Sequence, residues 1–93
     1  MPNQPETTTQ KHQTFVSESI DGKKASDVPG IGKVYSERFI QAGYGEAPRI
    51  LGKYLDLERD PDLFLEWIRS FGINDHSASA VTDALRGWCQ RFL

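Results

Sequence analysis

Apolar residues recur every three or four positions through the last third of the chain, a period typical of amphipathic helices. One apolar face lies within residues 61–72 and a second within residues 75–93. Asp60 and Asn74 are residue types that begin helices, and Gly72 is a type that ends them. The faces comprise Leu63, Phe64, Trp67, Ile68 and Phe71, and then Val81, Ala84, Leu85, Trp88, Cys89 and Phe92. The chain is therefore predicted to end in two helices, each with one buried face.

Shorter helical patterns precede these two. The sequence predicts a first helix at about residues 9–16, a short segment around 26–28 and a helix at about 46–57. Between the last two, the apolar residues at helical spacing are Val34, Tyr35, Phe39 and Ala42. No stretch alternates with the period of a strand. We expect an all-α fold, a compact bundle of five or six short helices, with a disordered tail at residues 1–7 and one domain at 8–93.

The composition limits what such a bundle can do. With 93 residues, 38% of them hydrophobic, the chain supports one small core, which excludes a multidomain enzyme and favours stabilisation by a second subunit. The net charge of −2 is unlike that of a polybasic DNA coat, so nucleic-acid binding would depend on local geometry. The single cysteine excludes an internal disulfide and is typical of a reducing compartment. No apolar stretch indicates export or membrane spanning.

The segment from Val28 to Tyr35, VPGIGKVY, joins a short helical segment to a longer helix. Two glycines allow positive φ and close approach to a ligand, and the free amides of the following helix favour an anion. Ile31 is expected to pack inward, and Lys33 and Arg38 to add positive charge. The segment resembles a helix-hairpin-helix, which holds a DNA phosphate without reading bases. An ordinary helix-to-helix turn accounts for these few residues equally well.

Other candidate residues have weaker support. Lys11 fits a phosphate contact or a solvated helix charge. Neither His12 nor His76 has partners at metal-ligand spacing, so no metal site is predicted. Cys89 lies on an apolar face, which favours the core over a nucleophile. A solvated face is predicted for Asp56, Glu58, Asp60, Asp62 and Glu66, and a core or subunit-interface position for Trp67 and Trp88.

An ordered set of residues extends over nearly the whole chain. It comprises Thr8 to His12, Phe15-Val16, Gly30 to Gly32, Ala42 to Tyr44, Ile50 to Gly52, Asp62 to Phe64, Glu66-Trp67, Trp88-Cys89 and Phe92-Leu93. From about Thr7 to Leu93, this set resembles the barrier-to-autointegration factor family, apart from a longer N-terminal tail and one residue missing before Gly72. The resemblance implies a SAM-like helical homodimer that binds double-stranded DNA without sequence preference and has neither enzymatic activity nor a cofactor.

The resemblance also implies roles by position. DNA contacts would come from Gln10, Lys11, Gly30, Ile31, Gly32, Val34, Tyr35 and Arg38, the last in place of a family lysine. The dimer and partner interface would draw on Leu51, Gly52, Tyr54, Asp56, Leu57, Leu63 and Trp67. Phosphorylation would fall on Thr7, Thr8 and Thr9, where phosphate would repel nearby DNA. Each subunit would hold one duplex, so the homodimer would bridge DNA.

The family further binds LEM-domain proteins and lamins and helps reassemble the nuclear envelope. This implies a location in the nucleus, on chromatin and at the nuclear envelope, with a cytoplasmic pool and no direct membrane insertion. Asp56 replaces an apolar family residue, and a carboxylate in an apolar groove disfavours burial unless paired, which counts against LEM binding. Asp75, His76 and Ser79 replace basic positions, so we expect weaker DNA affinity and a shallower salt dependence than in a typical member.

The sequence therefore predicts a homodimeric, sequence-nonspecific DNA-bridging protein that organises chromatin and assembles the nuclear envelope. One alternative is a diverged paralogue with weak DNA binding that acts as a protein-interaction or heterodimer partner, and Asp56 and Asp75 favour it. A second alternative is an enzyme or accessory domain that uses the hairpin as a DNA clamp. That alternative lacks a nucleophile or a metal site in the sequence.

Overall fold

The computed structural model describes residues 6–93, with side chains from Gln10 onward. The described residues form five α-helices and one 3₁₀ helix, without a strand, which confirms the predicted all-α class. The predicted domain limits stay a prediction, and residues 1–5 of the predicted tail lie outside the described part. Helix α1 begins at Glu6, earlier than predicted. The elements are α1 (Glu6–Ser17), the 3₁₀ helix (Ala25–Asp27), α2 (Lys33–Gln41), α3 (Ala47–Asp56), α4 (Pro61–Arg69) and α5 (Asp75–Phe92).

The predicted helix starts of α4 and α5 are confirmed. The Asp60 carboxylate accepts the amides of Asp62 and Leu63, at 2.9 and 3.1 Å, and so caps α4. The Asn74 side chain accepts the Ser77 amide at 2.8 Å and caps α5. Gly72, between the two helices, has φ +81°, the left-handed conformation that glycine adopts without strain. The short α4–α5 turn therefore has a geometry that its own sequence specifies.

Helix α5 is the centre of the bundle, because α1 and α4 both pack against it while the 3₁₀ helix packs on α2 and α3. The Trp88 indole N–H, on α5, donates to the Glu18 carbonyl at 3.0 Å and fixes the end of α1. Cys89 is 2% exposed, as its predicted core position requires, and burial raises the pKa of its thiol. The largest fully buried side chains include Phe15, Phe39, Phe64, Ile31, Ile50, Ile68 and Leu85.

The predicted buried faces are wrong at their edges. Leu63 is 48% exposed and Phe92 42%, although each shares the helical period of buried neighbours. A period gives the direction of an apolar face, but burial also needs a second element to cover it, and no other described part of the chain covers these positions. Val34 and Ala42, which the sequence places at helical spacing with Phe39, are also exposed. Val34 and Leu63 lie on the two surfaces described next.

Candidate nucleic-acid interface

The turn before α2 is pressed against the first turns of α5. Gly30 has φ +94°, and a Cβ built on it would lie 2.5 Å from the Ser77 carbonyl oxygen and 3.0 Å from a Val81 methyl. Ile31 is 0% exposed, so the prediction that it packs inward is confirmed. Its amide donates to the Val28 carbonyl at 3.0 Å and closes the turn. Glycine is required at position 30 both for its backbone conformation and for the contact with α5.

Gly32 lies on the solvent-exposed side of the same turn. It precedes α2 in an extended conformation, is exposed, and has no atom within 4 Å of a Cβ built on it. The first hydrogen bond of α2 runs from the Ser36 amide to the Gly32 carbonyl at 2.8 Å. The amides of residues 33–35 come before it and therefore have no carbonyl partner within the helix. Val34 is exposed beside them. The turn and the helix start together present backbone N–H groups and a helix dipole that favour an oxyanion.

Lys11 on α1 reaches this turn from across the bundle. Its Nζ donates to the Ile31 carbonyl at 3.2 Å, which places an ammonium group beside the turn. Partial burial lowers the pKa of Lys11, and the Asp27 carboxylate opposes that shift. Gln10, its neighbour in sequence, is exposed. The structure thus brings Lys11 beside the hairpin, whereas Gln10 has no hydrogen bond with it among the described residues. We call the surface formed by Lys11, Gly30 to Gly32, Val34, Tyr35 and Arg38 the hairpin surface.

Arg38 and Tyr35 connect α2 to the α4–α5 turn. The Arg38 guanidinium donates to the Phe71 carbonyl at 2.8 Å and lies over the Tyr35 ring, 5.4 Å from its centroid. The Tyr35 hydroxyl accepts the Asn74 amide at 3.3 Å. Both side chains were predicted as DNA contacts, and both also have partners within the chain. Arg38 is exposed, and a guanidinium has five N–H donors, so its charge stays on the surface.

The start of α5 adds residues that the hairpin motif did not indicate. Ser77 supplies the carbonyl against which Gly30 packs, and Asn74 donates its backbone amide to Tyr35. The sequence predicted Asn74 only as a helix cap, since nothing local shows that α5 folds back onto the turn. Asp75 brings a negative charge here, and its carboxylate accepts the Arg69 Nε–H at 2.9 Å while staying 84% exposed.

A second surface, which we call the α3–α4 surface, lies on the exposed sides of those helices. Leu57, Leu63 and Trp67 line a shallow apolar depression of about 300 Å³ on it. Gly52 and Asp56 lie beside a neighbouring one. These are five of the seven predicted interface residues. The other two, Leu51 and Tyr54, are 8% and 2% exposed and belong to the core.

The remaining sequence predictions concern residues outside these two surfaces. Thr7, Thr8 and Thr9 lie on the first turns of α1, and their side chains lie outside the described ones. Within residues 6–93, no group of three or more His, Cys, Asp or Glu residues has the geometry of a metal site. In the same part of the chain, no helix has the length and apolarity to cross a membrane. The Cys89 thiol is buried in the core.

The fold and its hairpin define a class: a small helical protein in which a Gly-x-Gly turn, a helix start and a lysine from another helix form one surface. The family described as barrier to autointegration factor matches residues 6–92 of the chain. The chain belongs to this family.

The relatives are similar over almost their full lengths. The barrier-to-autointegration factor of Mus musculus is 40% identical over 88 residues, which are 94% of this chain and 99% of the relative. That of Drosophila melanogaster is 36% identical, over 92% of this chain and 97% of the relative. Barrier-to-autointegration factor 1 of Caenorhabditis elegans is 33% identical, over 92% and 98%.

Proposed function

We propose that the chain binds double-stranded DNA through the hairpin surface, without sequence preference and without catalysis. The observation that carries this proposal is the open start of α2 behind Gly32, with the Lys11 ammonium beside the same turn. Backbone amides and an ammonium group recognise phosphate oxygens, which every base sequence presents alike. The chain's net charge of −2 means that this local geometry, and not bulk charge, provides the attraction.

The proposed mechanism is bridging by a homodimer. One hairpin surface holds one duplex, and two copies joined through the α3–α4 surface hold two, so association itself makes the cross-link. The exposed Leu63 side chain, next to Leu57 and Trp67, supports an interface there, because burying these apolar groups favours association. The proposal includes a location in the nucleus, on chromatin and at the nuclear envelope, LEM-domain proteins and lamins as partners, and Thr7, Thr8 and Thr9 as phosphorylation sites, as the resemblance to the family implies.

Binding to two unrelated duplexes over a salt series tests the proposal. We expect equal affinities for the two sequences and a linear fall of log affinity with log salt. Gly32→Glu places a carboxylate where the phosphate would lie and fits the open backbone, so affinity should fall roughly tenfold or more, since a charge-assisted contact is lost. Gln90→Glu makes the same change in net charge near the far end of α5, roughly 22 Å from the start of that helix, and should leave affinity within about twofold.

Loss of helical circular dichroism in Gly32→Glu would disqualify that variant, and Lys11→Ala then takes its place. A folded wild-type protein that ignores DNA at low salt would contradict DNA binding through the hairpin surface. Equal affinities of Gly32→Glu, Gln90→Glu and the wild type would place the DNA elsewhere on the molecule.

A second candidate function is that of a partner protein with weak DNA binding, favoured by the Asp75 carboxylate. This group is 84% exposed at the start of α5, the helix that packs on Gly30, and repels phosphate. The Asp75 carboxylate also accepts a hydrogen bond from the Arg69 guanidinium, so a positive charge that would otherwise be available to DNA is already paired. If Asp75→Ala raises DNA affinity by more than about tenfold, the wild-type surface is a weakened one. If the variant binds as the wild type does, the paired charges cancel and the first function stands.

A further inference from the structure

Helix α3 carries an exposed stripe of charged residues around a glycine. The stripe consists of Arg49, Gly52, Lys53 and Asp56, at helical spacing, and with Tyr44 it lines one shallow depression. Arg49, Gly52 and Asp56 are exposed. No atom lies within 4 Å of a Cβ built on Gly52, so another backbone can approach the helix closely there. This is an unpartnered helix face with a smooth point near its middle.

The charges at the two ends of the stripe have no partner within the described part of the chain. Neither Arg49 nor Asp56 takes part in an ion pair among residues 10–93. They are seven residues apart, roughly 10.5 Å along the helix axis, which is too far for direct pairing. Lys53, between them, lies over the Trp67 ring, 5.6 Å from its centroid, and is engaged by its own chain. A complementary surface would therefore present an acidic group to Arg49 and a basic group to Asp56.

A second copy of this stripe satisfies that requirement. Arg49 precedes Gly52 by three residues, roughly 4.5 Å along the axis, and Asp56 follows it by four, roughly 6 Å. If two α3 helices cross antiparallel at Gly52, Asp56 of the second copy comes within roughly 1.5 Å, measured along the axis, of Arg49 of the first. Two-fold symmetry then repeats the pair on the other side. A parallel crossing would instead bring Arg49 against Arg49 and Asp56 against Asp56.

We propose that two copies of this chain associate through antiparallel α3 helices that cross at Gly52 and are joined by two reciprocal Arg49–Asp56 ion pairs. This inference rests on the homodimer of the proposed function and specifies its register and its choice of partner. The apolar depression of Leu57, Leu63 and Trp67 borders the stripe, since Lys53 lines both depressions, and it supplies the apolar area of the contact. The Asp56 carboxylate then stabilises the interface, because Arg49 of the other copy pairs with it there.

The ion pairs also make the contact selective. A partner chain without an acidic group opposite Arg49, or without a basic group opposite Asp56, leaves a charge unpaired in a partly buried contact. Association with a second copy of the same chain is therefore favoured over association with a chain whose corresponding helix is apolar. Asp56, a departure from its family, becomes a determinant of self-recognition.

Charge reversal tests the register, with the dimer dissociation constant measured by analytical ultracentrifugation. Arg49→Asp places two like-charged pairs across the contact, and so does Asp56→Arg. Each variant alone should raise the dissociation constant roughly 10- to 100-fold. An equimolar mixture of the two variants should form a mixed dimer with an affinity near that of the wild type, because both of its pairs are attractive again. The double variant Arg49→Asp/Asp56→Arg should also dimerise.

The controls separate this proposal from the function on which it rests. Both positions are exposed, so the variants should keep the helical circular dichroism of the wild type, and a variant that loses it is replaced by the neutral Arg49→Gln or Asp56→Asn. A dimeric wild type whose single variants dimerise equally well, or whose mixture stays monomeric, overturns the register and leaves the homodimer intact. A wild-type protein that is monomeric at all accessible concentrations overturns both. DNA affinity in the same samples reports on the hairpin surface independently.

Discussion

The hairpin surface and the α3–α4 surface differ in how much each depends on its own chain. In the hairpin surface, Lys11, Tyr35 and Arg38 each have a hydrogen-bond partner on a distant element. In the α3–α4 surface, Arg49 and Asp56 have no ion-pair partner within the described residues, and Leu63 is 48% exposed. The hairpin surface is held together within a single copy, whereas the α3–α4 surface leaves charged and apolar side chains without partners among the described residues.

This difference is most clearly expressed in two glycines. Gly30 combines a positive φ with a contact that any side chain would disrupt, whereas Gly52 lies in regular helix with open space around it. The first glycine is required by the fold of one chain. The second is unfavourable in a single chain, because glycine within a helix is less stable than alanine. Gly52 therefore destabilises α3, and no atom of the described chain lies within 4 Å of a Cβ built on it. A close approach by another helix would explain why a glycine lies there.

The largest expected effect is that of Gly30→Ala. Alanine would adopt a left-handed conformation and overlap the Ser77 carbonyl, so the free energy of unfolding should fall by about 3 kcal/mol or more. Urea unfolding followed by circular dichroism measures this. Gly32→Ala is the matched control, with ordinary backbone angles and open space, and should cost less than about 1 kcal/mol. Equal costs for the two variants would mean that the turn does not rest on α5.

The next effect concerns Arg38. Arg38→Ala removes the hydrogen bond to the Phe71 carbonyl and the contact with the Tyr35 ring, so the free energy of unfolding should fall by about 1–2 kcal/mol. Arg38→Lys keeps the charge without the planar stacking, so most of that loss should remain. The salt dependence of DNA binding should remain in Arg38→Lys and weaken in Arg38→Ala. If Arg38→Lys is as stable as the wild type, the charge alone accounts for the role of this residue.

Gly52→Ala should have the opposite sign in one chain. Alanine within α3 meets no neighbouring atom, so the monomer should gain about 0.5–1 kcal/mol in unfolding free energy, measured at a concentration below the dimer dissociation constant. The added methyl group would hold two crossing helices apart, so the dimer should weaken. Sedimentation and urea unfolding on the same protein measure both effects. A more stable monomer with an unchanged dimer would place the crossing point away from Gly52.

The sequence specified helix starts and ends well, because local chemistry controls them. Asp60, Asn74 and Gly72 each have the predicted role, since a cap or a left-handed residue acts on the backbone within a few positions. The inward position of Ile31 also followed from its place between two glycines. The family resemblance added an ordered set of residues that extends over most of the chain, which no single motif provided.

What the sequence could not specify depends on contacts between distant residues. The bond from Lys11 to the Ile31 carbonyl joins positions twenty apart, and that from Arg38 to the Phe71 carbonyl joins positions thirty-three apart. Apolar period alone also placed Leu63 in a buried face, although no other element among residues 10–93 covers that side chain. The placement of Leu51 in the core follows from which side of α3 meets the bundle, and this is a tertiary property.

The smallest expected effect separates Lys11, on the hairpin surface, from the core residues Cys89 and Tyr54 by their response to alkaline pH. Burial lowers the pKa of Lys11, so the unfolded chain binds more protons below about pH 10.4, and Lys11 makes stability rise with pH towards that value. Burial raises the pKa of Cys89 and of Tyr54 on α3, so the folded chain keeps protons that the unfolded chain loses, and stability falls above about pH 8.5.

Urea unfolding between pH 7 and 10.5 should therefore show a steeper fall of the unfolding free energy with pH for Lys11→Met than for the wild type, and a shallower fall for Cys89→Ala. Each difference should stay below about 1.4 kcal/mol per pH unit, the limit for one titrating group. Parallel profiles for all three proteins would mean that neither Lys11 nor Cys89 is held in a protonation state that folding changes.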